Sequence, residues 1–406
     1  MRDQEITGAR SGVSPQLMPI SHPVAPIRDL FLPRVVHASR ALLETPRLEL
    51  TYNGRGALLR ACAEIAGKGR RQVLLPAFHC PSGITPALRA GLTPVFYRIR
   101  RDLSIDYDDL HAKAGAQTGA VVVIHYFGFA TDVGPLADLR KRGIALIEDW
   151  SHSFLHGDPL QLPGGDSDYR VFSFWKLVPS AVGGGLLRGG GAPAAAPGSS
   201  PPPPWGERAV RLKQMVEEAL DHSGHRFARA AFAHMERARL ALKPRRTAMP
   251  GTEQPLRGED YYPFDPRLAA SAMPGLARRI IESCDFAAVA RRRRDNFRRY
   301  GELLASRGPL QVLYPQPPAD ACPWVFPVLL DGRDAIDHRW RSAGVGLHTF
   351  GIHLHSALFE TADEPMLSDA RFLADHILCL AVHQDIPPEE IERAAALIQS
   401  SLAGSG

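Results

Sequence analysis

Short apolar runs and amphipathic segments alternate through the N-terminal half of the chain. The apolar runs are rich in β-branched and aromatic residues, and they lie at residues 73–75, 95–97, 120–125 and 144–147. Segments with helical periodicity separate them, at residues 57–65, 83–90 and 135–142. Wholly apolar strands are typical of parallel sheets buried on both faces, and strand–helix alternation is typical of crossover connections. The pattern therefore predicts an α/β fold whose large domain has a mainly parallel sheet with helices on both faces.

The C-terminal part follows a different pattern. Strands are predicted at residues 324–330, 346–352 and 377–382. Helices are predicted at residues 268–306, where an interruption is allowed, at 335–343, at 369–376 and from Pro387 onward. Glu389 and Glu390 lie in the first turn of the last helix, where the helix dipole favours acidic side chains. This order of elements predicts a smaller α+β domain packed on the first.

The connecting regions suggest where the domains divide. Residues 1–26 are expected to form an irregular arm, and a helix is predicted at 29–43. A stretch with a glycine run and four consecutive prolines, residues 189–204, is predicted to be a loop, and a helix at 207–242 follows it. We therefore predict three units: an N-terminal arm and helix over residues 1–45, a large domain over 46–255 with a loop at 190–205, and a small domain over 256–406.

The composition of the chain argues against disulfide-rich, zinc-binding and membrane-anchored proteins. The chain has 406 residues, of which 45% are hydrophobic, and this is enough for two domains with substantial cores. Its five cysteines are scattered and form no CxxC pair, so neither a disulfide framework nor a thiolate zinc site is expected. The N-terminal segment lacks the apolar region of a secretion signal, and no apolar run is long enough to span a bilayer. We therefore expect a cytoplasmic protein without a membrane anchor.

The formal net charge is +5, and the densest basic run is Arg291–Arg294. Such a run can form a nucleic-acid or anion patch, or it can be the solvated face of a helix. The apolar residues around it, Phe286, Val289, Phe297 and Tyr300, have the spacing of an inward helix face. No nucleic-acid-binding motif accompanies the run. We therefore favour the solvated face and do not expect a nucleic-acid partner.

Three separate segments carry candidate chemistry. In the first, residues 53–58 (NGRGAL), two glycines precede an amphipathic helix, and free N–H groups at a helix N-terminus can hold a phosphate. In the second, Asp149 ends an apolar strand, where it could meet a ligand or cap the following helix. In the third, Lys176 follows the aromatic run YRVFSFW and precedes a glycine run. Desolvation there would lower the pKa of the amine and make it a nucleophile, although a surface lysine with a buried stem fits too.

The order of these segments is that of pyridoxal-phosphate enzymes of the aspartate-aminotransferase fold type. Over about residues 46–400 the chain resembles the DegT/DnrJ family of sugar-nucleotide aminotransferases. The blocks that carry the resemblance are VLLPAF at 73–78, AGLTPVF at 90–96, IHYFG at 124–128, IEDWSH at 147–152 and LAVHQD at 380–385.

The resemblance implies a role for three residues. Lys176 looks like the Schiff-base lysine, since it lies seven residues before Gly183, as the family lysine does before its glycine pair. Asp149 looks like the acid that binds the pyridine nitrogen and keeps it protonated. His152 matches the Gln or His position near the phenolic oxygen of the cofactor.

Further positions match the family pattern with differences. Gly54, Arg55 and Gly56 match the turn that holds the cofactor phosphate, where the family usually has Ser and Thr, and Arg55 could pair with the phosphate directly. Ser173 is expected to add a hydroxyl contact, but its spacing from Lys176 is shorter than in the family. Cys80 stands where the family often has an aromatic ring that stacks on the cofactor. The family's GYNYR segment is not recognisable, and residues 261–265 (YYPFD) stand there instead.

The resemblance implies a homodimeric, pyridoxal-phosphate-dependent aminotransferase. Its substrates would be an amino acid, with glutamate as the expected donor, and a keto sugar nucleotide. Two alternatives stay open: another reaction on the same cofactor, such as sugar dehydration, or a non-catalytic binding protein on the same scaffold. For His125 and His383 we favour structural roles over catalytic ones, and for His79, at the end of a strand, both remain open.

Overall fold

The computed structural model describes residues 22–190, 200–223, 263–304 and 309–403. The arm predicted before residue 22 and most of the predicted loop at 190–205 lie outside the described residues. So do the predicted helix beyond residue 223 and both tyrosines of the YYPFD segment.

A seven-stranded sheet forms the larger layer of the protein. Its strands are β1 (Leu48–Thr51), β2 (Gln72–Pro76), β3 (Thr93–Tyr97), β4 (Thr118–Ile124), β5 (Ala145–Asp149), β6 (Tyr169–Ser173) and β7 (Gly184–Arg188). They are ordered β1-β7-β6-β5-β4-β2-β3 across the sheet. β2 to β6 are parallel to one another, whereas β7 runs antiparallel to both β6 and β1. The predicted α/β fold with a mainly parallel sheet is confirmed.

A second, antiparallel sheet lies in the C-terminal part. It consists of β8 (Leu310–Val312), β9 (Val325–Leu330), β10 (Leu347–His348) and β11 (Ile377–Ala381), in the order β10-β11-β9-β8. The strand predicted at 346–352 is shorter than expected. Gly351 has a φ of 66°, and a Cβ there would lie 2.5 Å from the Phe78 ring, so the chain turns toward the large sheet instead of continuing as a strand. A single cluster of buried apolar side chains, including Val121 of β4 and Val328 of β9, joins the two sheets.

Fourteen helices are found within the described ranges. They are α1 (Ile27–Phe31), α2 (His37–Leu43), α3 (Gly54–Gly67), α4 (Pro81–Arg89), α5 (Tyr107–Lys113), α6 (Ala137–Lys141), α7 (Trp205–His222), α8 (Pro266–Ala270), α9 (Gly275–Glu282), α10 (Phe286–Leu303), α11 (Arg333–Ser342), α12 (Ser356–Thr361), α13 (Glu364–His376) and α14 (Pro388–Ala403). Over this part of the chain, no helix combines the length and the apolar character that a bilayer span requires.

Two predicted helices are divided in the structure. The helix predicted at 29–43 is split into α1 and α2 around Pro33, whose missing N–H and fixed φ disfavour a helix interior. The region predicted at 268–306 forms three helices, α8 to α10. Pro274 precedes α9, and the Asp285 side chain caps α10 by accepting a hydrogen bond from the Ala288 N–H.

The basic run on α10 is only partly a solvated face. Phe286, Val289, Phe297 and Tyr300 point inward as predicted, but Arg293 is also buried, with 1% of its surface exposed. It lies four residues after Val289 and four before Phe297, so it occupies the same inward stripe. The interpretation of the run as a solvated face is therefore wrong for Arg293.

Candidate active site

The carboxyl ends of β2, β4, β5 and β6 meet at one edge of the large sheet, because these strands are parallel. A cavity of about 380 Å³ opens at this edge. Seven of the eight predicted site residues line it: Gly54, Arg55, Cys80, Asp149, His152, Ser173 and Lys176. Ligands of open α/β sheets bind at such an edge, outside the carboxyl ends of the strands.

The end of β5 positions two of these side chains. Asp149 is the last residue of the strand, and its carboxylate accepts a hydrogen bond of 2.9 Å from the Ser151 N–H. His152 follows in the turn, where its Nδ1 accepts a hydrogen bond of 3.3 Å from the Phe127 N–H. Its ring centroid lies 4.3 Å from that of Trp324. Burial holds the pKa of His152 well below its usual value, so the ring is neutral.

Lys176 closes a short 3₁₀ turn that follows β6. Its amine lies 4.7 Å from the centroid of the Trp324 ring, within the range of a cation–π contact. Desolvation lowers the pKa of the amine to about 8, and the charges of Asp149 and Cys80 oppose this shift only in part. Lys176 therefore has a much larger neutral, nucleophilic fraction near pH 8 than an exposed lysine.

A buried arginine connects the lysine turn to the opposite wall of the cavity. The Arg293 guanidinium donates hydrogen bonds to the carbonyls of Leu177 at 3.1 Å and Trp324 at 3.0 Å. Its Nε donates to the Gln384 side chain at 3.0 Å. Arg293 thus fixes the backbone on both sides of the contact between Lys176 and Trp324. The sequence did carry a signal for this, the spacing of Arg293 from Val289 and Phe297.

The first turn of α3 forms one end of the cavity. Asn53 caps the helix, and its side chain accepts a hydrogen bond of 2.9 Å from the Gly56 N–H. Gly56 packs against α8 and is the one predicted site residue that does not line the cavity. A Cβ there would lie 2.5 Å from the Ala269 carbonyl oxygen. The N–H groups of Gly54 and Arg55 precede the first intrahelical hydrogen bond, so these two positions are the ones suited to an anion.

The glycine run after Lys176 is needed because β7 packs against the first turn of α3. Gly184 of β7 pairs with Ser173 of β6 on one side and with Thr51 of β1 on the other. A Cβ on Gly184 would lie 2.2 Å from the Asn53 carbonyl carbon. The absence of a side chain at 184 therefore allows the start of α3 to approach Ser173.

One wall of the cavity comes from the C-terminal part of the chain, and it was not predicted from the sequence. Trp324, His348 and Phe350 line the cavity together with His79 and Trp175. Trp324 precedes β9, and the other two residues of this wall lie at and after β10. These residues lie far along the chain from the strand ends of the large sheet, so no local sequence pattern predicts that they reach the cavity.

His125 has the structural role that we favoured. Its Nε2 lies 2.9 Å from a Glu148 carboxylate oxygen, both side chains are buried, and its ring stacks on Trp150 at 3.4 Å between centroids. Burial tends to raise the pKa of Glu148, but hydrogen bonds and charge, chiefly from His125, outweigh it and lower the pKa. Neither His125 nor Glu148 lines the cavity.

Part of the sequence is similar to known aminotransferases. The model of the DegT/DnrJ/EryC1/StrS aminotransferase family matches residues 50–187. GDP-perosamine synthase of Vibrio cholerae is 29% identical over 161 residues, which make up 39% of this chain and 44% of that protein. A dTDP-3-amino-3,4,6-trideoxy-alpha-D-glucose transaminase of Micromonospora megalomicea subsp. nigra is 30% identical over 30% of this chain and 33% of its own length. The chain thus matches less than half the length of either curated relative.

Solved structures resemble the chain along most of its length. The aminotransferase TlmJ from Streptoalloteichus hindustanus has a TM-score of 0.63 at 21% identity, over 95% of this chain and 99% of that one. The PLP form of a putative sugar aminotransferase from Streptococcus pneumoniae has a TM-score of 0.64 at 16% identity, with the same coverage of both chains. At these identities the likeness establishes the fold alone. Over residues 50–187, about a third of its length, the chain is similar to the DegT/DnrJ/EryC1/StrS aminotransferase family.

Proposed function

We propose that this chain is a pyridoxal-phosphate-dependent aminotransferase that moves an amino group from glutamate to a keto sugar nucleotide. One observation carries the proposal: a single cavity contains an amine with a lowered pKa, a carboxylate and the N-terminus of a helix. Each is a group that the chemistry of this cofactor requires.

The cavity residues fit the chemical groups of pyridoxal phosphate. Its phosphate needs N–H donors and positive charge, which the first turn of α3, Ser173 and Arg55 can supply. Gly54 lets the first turn of α3 lie close to Ser173, since a Cβ there would lie 3.3 Å from the Ser173 Cβ. The aldehyde of pyridoxal phosphate needs a neutral amine, for which Lys176 is suited. The ring nitrogen of the cofactor needs a carboxylate, for which Asp149 is suited. When bound, the cofactor would supply the aldehyde and an electron-withdrawing ring.

Lys176 and Asp149 would have different roles in the reaction. Lys176 would hold the cofactor and, once an amino donor replaces it, use its neutral amine to move a proton at the donor carbon. Its backbone is anchored through Arg293, so the amine would return to the same position. Asp149 would stabilise positive charge on the ring nitrogen by lying beside it. His152, neutral and packed on Trp324, would lie at the ring edge.

The substrates are proposed from the relatives. The names of the two curated relatives describe a synthase of a GDP-linked amino sugar and a transaminase of a dTDP-linked amino sugar. These names support a keto sugar nucleotide as acceptor, and the family resemblance supports glutamate as donor.

A spectral titration with glutamate tests the proposed function. Purified protein loaded with pyridoxal phosphate is expected to show a visible absorbance band that glutamate bleaches, with one equivalent of 2-oxoglutarate released per site. The keto sugar nucleotide should then restore the band. A band that glutamate leaves unchanged would favour another reaction on the same cofactor, and protein that takes up no cofactor would favour a binding protein.

The rate at which cofactor-free protein captures pyridoxal phosphate is expected to rise with pH, with a midpoint near 8. Only the neutral amine attacks an aldehyde, and the pKa of Lys176 is lowered from 10.5 to about 8. Below this pKa the amine keeps its proton and capture slows. Because Asp149 raises the pKa of Lys176, Asp149→Asn should move the midpoint to lower pH. Stopped-flow absorbance measures the rate, and a midpoint near that of an ordinary lysine would contradict the desolvated position of the amine.

We also propose that the protein works as a cytoplasmic homodimer. Three large apolar side chains are exposed: Phe31 at the end of α1, Leu32 directly after it, and Trp205 at the start of α7. Phe31 and Trp205 line the same surface groove. Clustered exposed aromatic side chains are typical of contact surfaces, and a second copy of the chain is the occupant proposed for this one.

A further inference from the structure

His79 is a buried side chain that the proposed chemistry does not yet use. It follows β2, lines the cavity beside Cys80, and has 4% of its surface exposed. Among the described residues, neither of its ring nitrogens has a hydrogen-bond partner. His125, the buried histidine at the end of β4, instead has a carboxylate partner at 2.9 Å.

The fold makes specific room for the His79 ring. A Cβ on Gly83, in the first turn of α4, would lie 1.9 Å from Cε1 and 2.4 Å from Nε2 of His79. Any residue other than glycine at 83 would therefore displace the ring. The sequence leaves position 83 without a side chain, and the imidazole occupies that space.

Keeping this imidazole costs stability. A buried polar group without a hydrogen bond loses its water partners and gains nothing in return. Burial lowers the pKa of His79 to about 4, with Asp149 opposing the shift and Lys176 adding to it, so the ring is neutral at neutral pH. A neutral imidazole can donate one hydrogen bond and accept another. A bound ligand that pairs with the imidazole would remove this cost.

We propose that His79 is a binding residue for pyridoxal phosphate, to which its neutral imidazole supplies a hydrogen bond inside the cavity. This inference rests on the proposed function. His79 is close enough to both Asp149 and Lys176 for their charges to act on it. These are the residues proposed to hold the ring nitrogen and the aldehyde, at opposite ends of the cofactor ring. Because His79 lines the same cavity as Asp149 and Lys176, it would lie beside a ring held between them.

The test combines a ring replacement with a matched control. His79→Phe keeps a planar ring and removes both nitrogens, so the cofactor-free variant is expected to melt at or above the wild-type temperature. Its dissociation constant for pyridoxal phosphate, from absorbance titration, should rise about 3- to 10-fold, the value of one hydrogen bond. His125→Phe, the same change at a histidine with a partner, should lower the melting temperature because Glu148 loses its hydrogen bond. His79→Gln, which keeps a donor and an acceptor, should restore most of the affinity.

The outcomes separate this inference from the proposed function. If wild type binds pyridoxal phosphate and His79→Phe binds it equally well, the inference about His79 is overturned alone. A cofactor-free His79→Phe protein that melts far below wild type would assign His79 a structural role and also overturn it. Wild-type protein that takes up no pyridoxal phosphate would end the proposed function and this inference with it.

Discussion

Lys176→Ala is expected to abolish the visible absorbance of the bound cofactor and to reduce transamination by about 10³-fold or more. The substitution removes the amine that would bond to the aldehyde and also the base that would move the proton, and a positioned base alone contributes about 10²- to 10⁴-fold. Absorbance after addition of pyridoxal phosphate and single-turnover formation of 2-oxoglutarate from glutamate measure the two losses.

The control for this variant is a lysine outside the cavity. Lys141 on α6 forms an exposed ion pair with Asp138 at 2.9 Å, and Lys141→Ala is expected to keep both absorbance and activity. A Lys176→Ala protein that retains the absorbance band would show that another amine bonds to the cofactor. The assignment of Lys176 would then be wrong even if the cofactor binds.

Asp149→Asn is expected to slow the reaction with glutamate by about 10²- to 10³-fold, the loss typical when one preorganised electrostatic contact is removed. The amide has almost the same shape as the carboxylate, so the Ser151 N–H can still donate to its oxygen. What is lost is the negative charge beside the ring nitrogen. Single-turnover kinetics with saturating cofactor separates this effect from weaker cofactor binding.

The other member of the exposed ion pair provides the matched control for the charge. Asp138→Asn removes one negative charge from α6 and is expected to leave the rate unchanged. Equal rates for Asp149→Asn and wild type would mean that the carboxylate does not contact the ring, and the proposed orientation of the cofactor would have to be abandoned.

The large sheet could be predicted because its signals are local. Each buried strand is a short apolar run, and parallel pairing then brings the strand ends together at one edge. The sequence therefore predicts that Asp149 and Lys176 lie near one another. The shorter spacing between Ser173 and Lys176 did not prevent this, since the lysine still reaches the cavity.

The remainder of the site depends on packing between distant segments. Trp324 and Phe350 reach the cavity only because the second sheet packs on the first, and no local pattern encodes that contact. The inward position of Arg293 had a periodic signal, but four consecutive arginines indicated a solvated surface more strongly. The unpartnered ring of His79 could not be foreseen, since hydrogen-bond satisfaction is a property of the assembled fold.

The buried guanidinium of α10 has a consequence for motion. Arg293 links the turn that carries Lys176 to the start of β9 by donating hydrogen bonds to the carbonyls of Leu177 and Trp324. Separating the two walls there would strip a cation of its hydrogen bonds away from water, a large penalty. We therefore expect motions that open the cavity to leave the contact between Lys176 and Trp324 intact.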